Sequence, residues 1–215
     1  MSVILHGYWR SLATFRVRVA LHLKGVDFRE VTVDLSQGEQ FSAAYRRLNP
    51  QHVLPLLEHD GRCISQSLAI IEYINDIWPQ VPLLPEDAAG RARVRSLAQI
   101  AIADVHPLIV PRVRIYLEQE FGLVEAVRMK WVRHWFGTGS AAIEASLSDD
   151  QSGLYAHHNQ PSLADLALVS HVVGARLFQC DLSAAPRLCN IVEHCLQQPA
   201  FARSHPLAQP GSPAL

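Results

Sequence analysis

Between residues 8 and 18 the chain reads Tyr8-Trp9-Arg10-Ser11-Leu12-Ala13-Thr14-Phe15-Arg16-Val17-Arg18. These residues join a short apolar run, Val3-Ile4-Leu5, to a helical pattern and put a serine hydroxyl at the helix N-terminus. The first turn of a helix carries N–H groups without intrahelical partners and the positive end of the macrodipole, so a thiolate or carboxylate is stabilised there. Ser11 is therefore the first candidate for chemistry. Its other reading is a plain N-cap.

The remaining clusters of reactive types are weaker. His157-His158 followed by Asn159 could hold a metal, but adjacent histidines lack the i, i+4 geometry of helical ligand pairs, and a solvated loop is expected. His194 and Cys195 are neighbours, so on a helix their side chains diverge and no Cys/His catalytic pair forms. Trp131 and Trp135 are four apart and read as helix packing.

The elements that must position Ser11 follow from periodicity and turn chemistry. Residues 3–6 read as a strand and 14–24 as a helix with Val17, Ala20, Leu21 and Leu23 inward, ended by Gly25 in the left-handed region. Residues 28–35 form a second strand. A short helix over 40–48 is closed by Asn49-Pro50, because the residue before proline is pushed out of the helical region. Residues 54–58 and 62–65 flank the hairpin signal Asp60-Gly61, and Ser67 opens a helix that Pro79 must end. The order is βαβαββα, an α/β unit with at least one parallel strand pair.

Residues 81–87 contain two prolines and no period, which marks a linker. Beyond it only helical patterning appears. A long helix over 91–120 is bent at Pro107 and Pro111, a second covers 124–147, and a third opens at Pro161-Ser162-Leu163-Ala164-Asp165 and runs to about Phe178. Ser162 and Asp165 have capping-box spacing. A last helix spans 186–198, followed by a proline-rich tail from Pro206. The expected organisation is an α/β domain over 1–80, a linker over 81–87 and an all-helical domain over 88–215.

The totals agree with a folded globular protein. Of 215 residues, 49% are hydrophobic and 18% charged, and the formal net charge is -1. That is neither a disordered nor a collagen-like composition. With 19 basic residues offset by 20 acidic ones and no long Lys/Arg run, nucleic acid is not an expected partner. The N-terminus lacks the basic and apolar regions of a signal peptide, and no apolar run is long enough for a bilayer, so a cytoplasmic protein is expected. Cys63, Cys180, Cys189 and Cys195 have no CxxC spacing and read as reduced thiols.

Four stretches carry a family resemblance: Tyr8-Trp9-Arg10-Ser11 with Arg16-Val17-Arg18-Val19-Ala20-Leu21, Leu48-Asn49-Pro50-Gln51, Gln66-Ser67-Leu68-Ala69-Ile70-Ile71-Glu72-Tyr73, and Asp104-Val105-His106-Pro107-Leu108. Together with the βαβαββα order and the helical second part, they resemble the glutathione S-transferase superfamily, most closely its zeta class of maleylacetoacetate and maleylpyruvate isomerases. The resemblance covers essentially the whole chain. It implies a thioredoxin-like N-terminal domain, an all-helical domain contributing the substrate site, glutathione as cofactor, and a homodimer.

It also gives residues roles. Ser11 faces the glutathione sulfur. Leu54-Pro55 matches the cis-proline position, where the Leu54 backbone pairs with the cysteinyl part of glutathione, and Gln66 with Ser67 holds the γ-glutamyl carboxylate. Gln40 and His52 reach the glycyl end. His106 contacts the sulfur or relays a proton, its other reading being a buried, satisfied histidine. Arg10, Arg112 and Arg176 are the candidates for the substrate carboxylates, since guanidinium pairs with carboxylate through two hydrogen bonds.

The implied reaction is isomerisation of a maleyl-type acid in aromatic amino-acid or aromatic-compound catabolism. A thiolate adds to the cis double bond, the carbon–carbon bond rotates, and elimination returns the trans acid. Some positions depart from the class. Ser11-Leu12-Ala13 stands for Ser-Ser-Cys, Ile109-Val110 for two asparagines, and Leu177 for an arginine before Phe178. Leu12, Ile109 and Val110 favour an alternative, a glutathione transferase or dehalogenase acting on small electrophiles. A non-catalytic glutathione-binding module is the third reading.

Overall fold

The computed structural model describes residues 2–149 and 151–213. They form two compact units, one holding the chain up to Leu83 together with the stretch from Gln198, the other running from Leu84 to Gln197.

In the first unit, strands β1 (Val3–Gly7), β2 (Arg29–Thr32), β3 (Leu56–His59) and β4 (Arg62–Ser65) make one sheet in the order β2-β1-β3-β4. The β1/β2 pair is parallel and the other two pairs are antiparallel. Parallel strands need a crossover, and α1 (Leu12–Leu23) supplies it. The β3/β4 hairpin turns on Asp60 and Gly61, both at positive φ (48° and 75°), the conformation a two-residue turn requires.

Alternation along β1 assigns the two faces of the sheet. His6 meets the ring of Tyr45 from α2 (Ala43–Leu48), and Leu56, its register partner, joins Tyr45 and Val33 in a small cluster. Leu5 and its partner Leu57 point the other way and are fully buried. Helix α1 packs against α3 (Ser67–Ile77).

The expected order βαβαββα is present, with local differences. Helix α1 begins two residues before the predicted start, at Leu12, and Gly25 sits at φ 64° behind it. The predicted helix over 40–48 is broken. A 3₁₀ turn, Glu39–Phe41, precedes α2, and Ser42 between them is extended (ψ 149°) and caps Tyr45 N–H at 3.2 Å. A capping serine satisfies an orphan donor that a continuous helix would have bonded internally.

The second unit is helical: α4 (Ala88–Gln99), a π-helical stretch (Ile100–Val105), α5 (His106–Ile109), α6 (Pro111–Phe121), α7 (Glu125–Ser146), α8 (Leu163–Leu177) and α9 (Pro186–Leu196). Of the two prolines expected to bend the helix, Pro111 interrupts it, while the chain stays helical through Pro107. Val110 is extended (ψ 155°) ahead of Pro111, and the helix restarts there. The π-helical stretch was not anticipated. It lies against α7, where a Cβ on Gly139 would overlap Val105 Cγ2 and come within 3.1 Å of His171 Cε1.

The capping box at Ser162 is formed. Asp165 accepts from Ser162 N–H and O–H, both at 2.8 Å, and from Ala156 N–H at 2.7 Å. The loop before it is not solvated as expected, since Tyr155, Ala156 and His157 are buried. Arg93 holds it by donating to Asp149, to Ser152 Oγ and to Ala156 O. Trp131 and Trp135 stack edge to face at 5.7 Å, as four-apart aromatics on α7 should.

The sequence reading places residues 88–215 in the helical domain and carries the last helix to 198. In the structure α9 ends at Leu196, and a separate α10 (Pro199–Ser204) packs on α1 in the first unit. The tie is partly polar: His22 Nδ1 meets Ser204 Oγ at 2.7 Å.

Candidate glutathione-binding site

Strand register brings the cofactor candidates of the first unit to one end of the sheet. Thr32 pairs with Gly7, His6 with Leu56, and Leu56 with Ser65. The segment carrying Ser11 leaves β1 at that end, Leu54-Pro55 enters β3 there, and Gln66-Ser67 leaves β4 there. The loop to Gln40 leaves β2 at the same end.

Ser11 is the N-cap of α1 (φ -72°, ψ 112°), and its hydroxyl accepts Thr14 N–H at 3.1 Å. Its own N–H is tied to Tyr8 O at 3.0 Å. The amides of Leu12 and Ala13 have no intrahelical partner, as first-turn positions do. The Ser11 proton is still available, because capping uses an oxygen lone pair and not the O–H. Arg10 precedes it as an exposed residue.

The Leu54–Pro55 bond is cis. The backbone before it is fixed by its carbonyl: Val53 O accepts from Tyr45 Oη at 2.7 Å and from Asn49 Nδ2 at 2.8 Å. Pro55 is buried and Leu54 half-buried. Asn49 therefore does more than end α2, since it and Tyr45 set the strand entry.

Gln66 precedes α3 at φ 70°, and its Nε2 donates to Gln51 Oε1 at 2.8 Å, joining the loop after α2 to the start of α3. Ser67 is 5% exposed, and its hydroxyl accepts from Arg16 Nε at 3.2 Å and Nη2 at 3.1 Å. His52, at φ 56°, sets its ring against Phe41 at 5.8 Å, so the turn carrying Gln40 and the loop carrying His52 are neighbours. Gln40 Oε1 is buried without a hydrogen-bond partner among the described residues. An acceptor of this kind is satisfied by an ordered water or by a donor on a bound ligand.

These residues suit a tripeptide thiol. A hydroxyl with open amides suits a thiolate, a free strand entry suits a peptide backbone, and a second helix start suits a carboxylate.

Sequence reasoning missed two arginines. Arg16 and Arg18 are 2% and 1% exposed. Arg18 pairs with Glu30 through two bonds, at 2.7 and 2.5 Å, and donates to Tyr8 O at 3.1 Å, which pins the turn leading to Ser11. Arg16 stands behind Ser67, and burial lowers it to about 9, still cationic at neutral pH. The available signal was their position inside a stretch of α1 whose other residues are buried, since a charge is buried only with partners.

The second unit holds the other candidates. His106 heads α5 directly after the π-helical stretch. Arg112 is exposed in the first turn of α6. Arg176 forms an ion pair with Glu193 of α9, the bland role open to it. Arg114, not among the candidates, donates to Ile109 O at 3.1 Å and lies over the Phe178 ring at 5.2 Å. Two of the apolar departures offer little surface, Leu12 being 9% and Ile109 4% exposed.

Comparison with known proteins agrees with this geometry. Residues 1–76 match the family described as glutathione S-transferase, N-terminal domain. The probable maleylacetoacetate isomerase of Vibrio cholerae is 40% identical over 212 residues, 98% of each chain. Among solved structures, a bacterial maleyl pyruvate isomerase of the zeta class, in its holo form, superposes with a TM-score of 0.95 at 40% identity, covering 98% of this chain and 100% of that one. Maleylacetoacetate isomerase from Methylobacterium extorquens AM1, with malonate and glutathione bound, gives 0.96 at 43% identity with the same coverage.

Proposed function

The chain belongs to the glutathione S-transferase family, in its zeta class, and on that footing we propose that it is a glutathione-dependent cis–trans isomerase of a maleyl-type acid, maleylacetoacetate or maleylpyruvate. The observation that supports this most is the gathering of Ser11, Leu54-Pro55 and Ser67 at one end of the sheet in a chain alike over its whole length to such isomerases. Glutathione supplies a thiol that, once ionised, adds reversibly to an activated double bond and is released unchanged.

The protein's own part is to hold and to ionise. Ser11 donates its proton to the sulfur while Leu12 and Ala13 present open amides, so the charged form is favoured at neutral pH. Leu54 offers its backbone to the cysteinyl segment, Ser67 and Gln66 hold the γ-glutamyl end, and Gln40 with His52 meets the glycyl end. His106 contacts the sulfur or relays a proton. Arg10 and Arg112 bind the substrate carboxylates. Arg176, paired with Glu193, is the weakest of the three arginines for that task. The helical unit thus contributes to substrate binding, and the protein acts as a cytoplasmic homodimer, in a compartment that keeps glutathione and four free cysteines reduced.

One set of assays tests the reading: turnover of maleylpyruvate and maleylacetoacetate with catalytic glutathione, beside conjugation of an α-halo acid. Isomerisation without glutathione consumption is expected. Stoichiometric consumption would instead assign a transferase or dehalogenase, and binding without turnover a non-catalytic module.

A further inference from the structure

Arg16 lies in the buried stretch of α1 between Leu12 and Leu21, on the side that meets α3. Its Nε and Nη2 converge on a single oxygen, the Ser67 hydroxyl, at 3.2 and 3.1 Å. A serine oxygen has two acceptor positions and one proton, and a guanidinium only donates. With both acceptor positions taken by Arg16, Ser67 can do one thing with its remaining capacity, which is to donate. Ser67 is also the first residue of the eleven-residue α3, where the next amides have no intrahelical partners. A hydroxyl fixed as a donor, open amides and a full positive charge one atom behind together describe a carboxylate receptor.

We propose that Arg16 is a positioning residue for the γ-glutamyl carboxylate of glutathione: it orients Ser67 as an obligate donor and places a cation behind it without touching the ligand. The assignment rests on the glutathione reading above. A role confined to joining α1 and α3 accounts poorly for a guanidinium there, because apolar packing joins two helices without the cost of desolvating a charge.

Calorimetric titration separates the two roles, with two thiol-free probes: S-methylglutathione, and its counterpart in which 4-aminobutyryl replaces the γ-glutamyl group and so removes only the carboxylate. In Arg16→Met and in Ser67→Ala the affinity for S-methylglutathione is expected to fall roughly 10- to 100-fold, while that for the counterpart moves less than about twofold. The double variant should lose less than the two single losses combined, because part of the effect of Arg16 passes through the Ser67 hydroxyl. Should Arg16→Met fail to fold, Arg16→Lys carries the same comparison: it keeps the charge but not the two-pronged grip, and its smaller loss should again be confined to the carboxylate-bearing probe. Equal loss for both probes, or loss for neither, overturns the proposal while leaving glutathione binding intact. Failure of the unaltered protein to bind S-methylglutathione overturns the cofactor reading itself.

Discussion

The Ser11 hydroxyl accepts the Thr14 amide at 3.1 Å, so one oxygen caps α1 while its proton remains for a second partner. Capping and thiolate binding are therefore compatible in one residue, and they separate experimentally. Glycine is nearly as good an N-cap as serine, whereas alanine costs about 1 kcal/mol. Ser11→Gly should leave stability within a few tenths of a kcal/mol and still lower kcat/KM about 100-fold or more, with the pKa of bound glutathione raised. Ser11→Ala should match it in turnover but melt lower. Turnover of Ser11→Gly close to that of the parent would reduce Ser11 to a cap.

Gln40 carries an acceptor, Oε1, buried without a partner among the described residues. Leaving such a group unsatisfied costs about 1–3 kcal/mol. Gln40→Leu should therefore raise the melting temperature of the ligand-free protein and weaken glutathione binding about tenfold, a gain in stability at the expense of function. Melting curves with and without glutathione test both at once, since the ligand-induced rise should shrink as the unliganded value climbs. A lower unliganded melting temperature would show that the side chain is satisfied.

What was legible in the sequence was local. Ser11 and the Ser162–Asp165 box announce themselves because an N-cap is a contract between residues three apart, and the hairpin at Asp60-Gly61 is settled by two adjacent positive φ values. What was not legible depends on distant chain. The function of Arg16 is set by a serine 51 residues away and that of Arg18 by a glutamate 12 away. Helix α10 joins the first unit through contacts such as His22 to Ser204, 182 residues apart, so its short run of Pro199–Ser204 reads only as the end of α9. The π-helical stretch has no local signature because its space is left by a missing Cβ on another helix.

That missing Cβ makes Gly139 a test of how His106 is held. Alanine there would overlap Val105, the residue directly before His106. Overpacking costs about 1–3 kcal/mol, and the easiest relief is a shift of the π-helical stretch, which would carry His106 with it. Gly139→Ala should lower kcat beyond what its stability loss explains. Val105→Ala in the same chain should restore much of both, so a double-mutant cycle in urea denaturation and turnover should show strong coupling. Additive effects would mean that the two side chains do not share the space.

Asp165 is fully buried, and desolvation outweighs its three hydrogen bonds, raising its carboxyl to about 6. An unfolded aspartate titrates near 3.9, so between about 4 and 6 the folded state holds the proton that the unfolded state has released. Stability from this group is complete below the lower value and is lost as pH rises through about 6, by at most about 3 kcal/mol. His22 acts oppositely: burial, then the charge of Arg203, lower it to about 4, so in the interval up to 6.5 the unfolded state binds the extra proton and stability rises with pH. The two slopes oppose each other across nearly the same window. Urea denaturation from pH 4 to 7 should show Asp165→Asn steepening the rise in stability with pH, since the falling contribution is removed, and His22→Gln flattening it. The same slope in Asp165→Asn as in the parent would place that carboxyl at its unfolded value, with the capping hydrogen bonds fully offsetting burial.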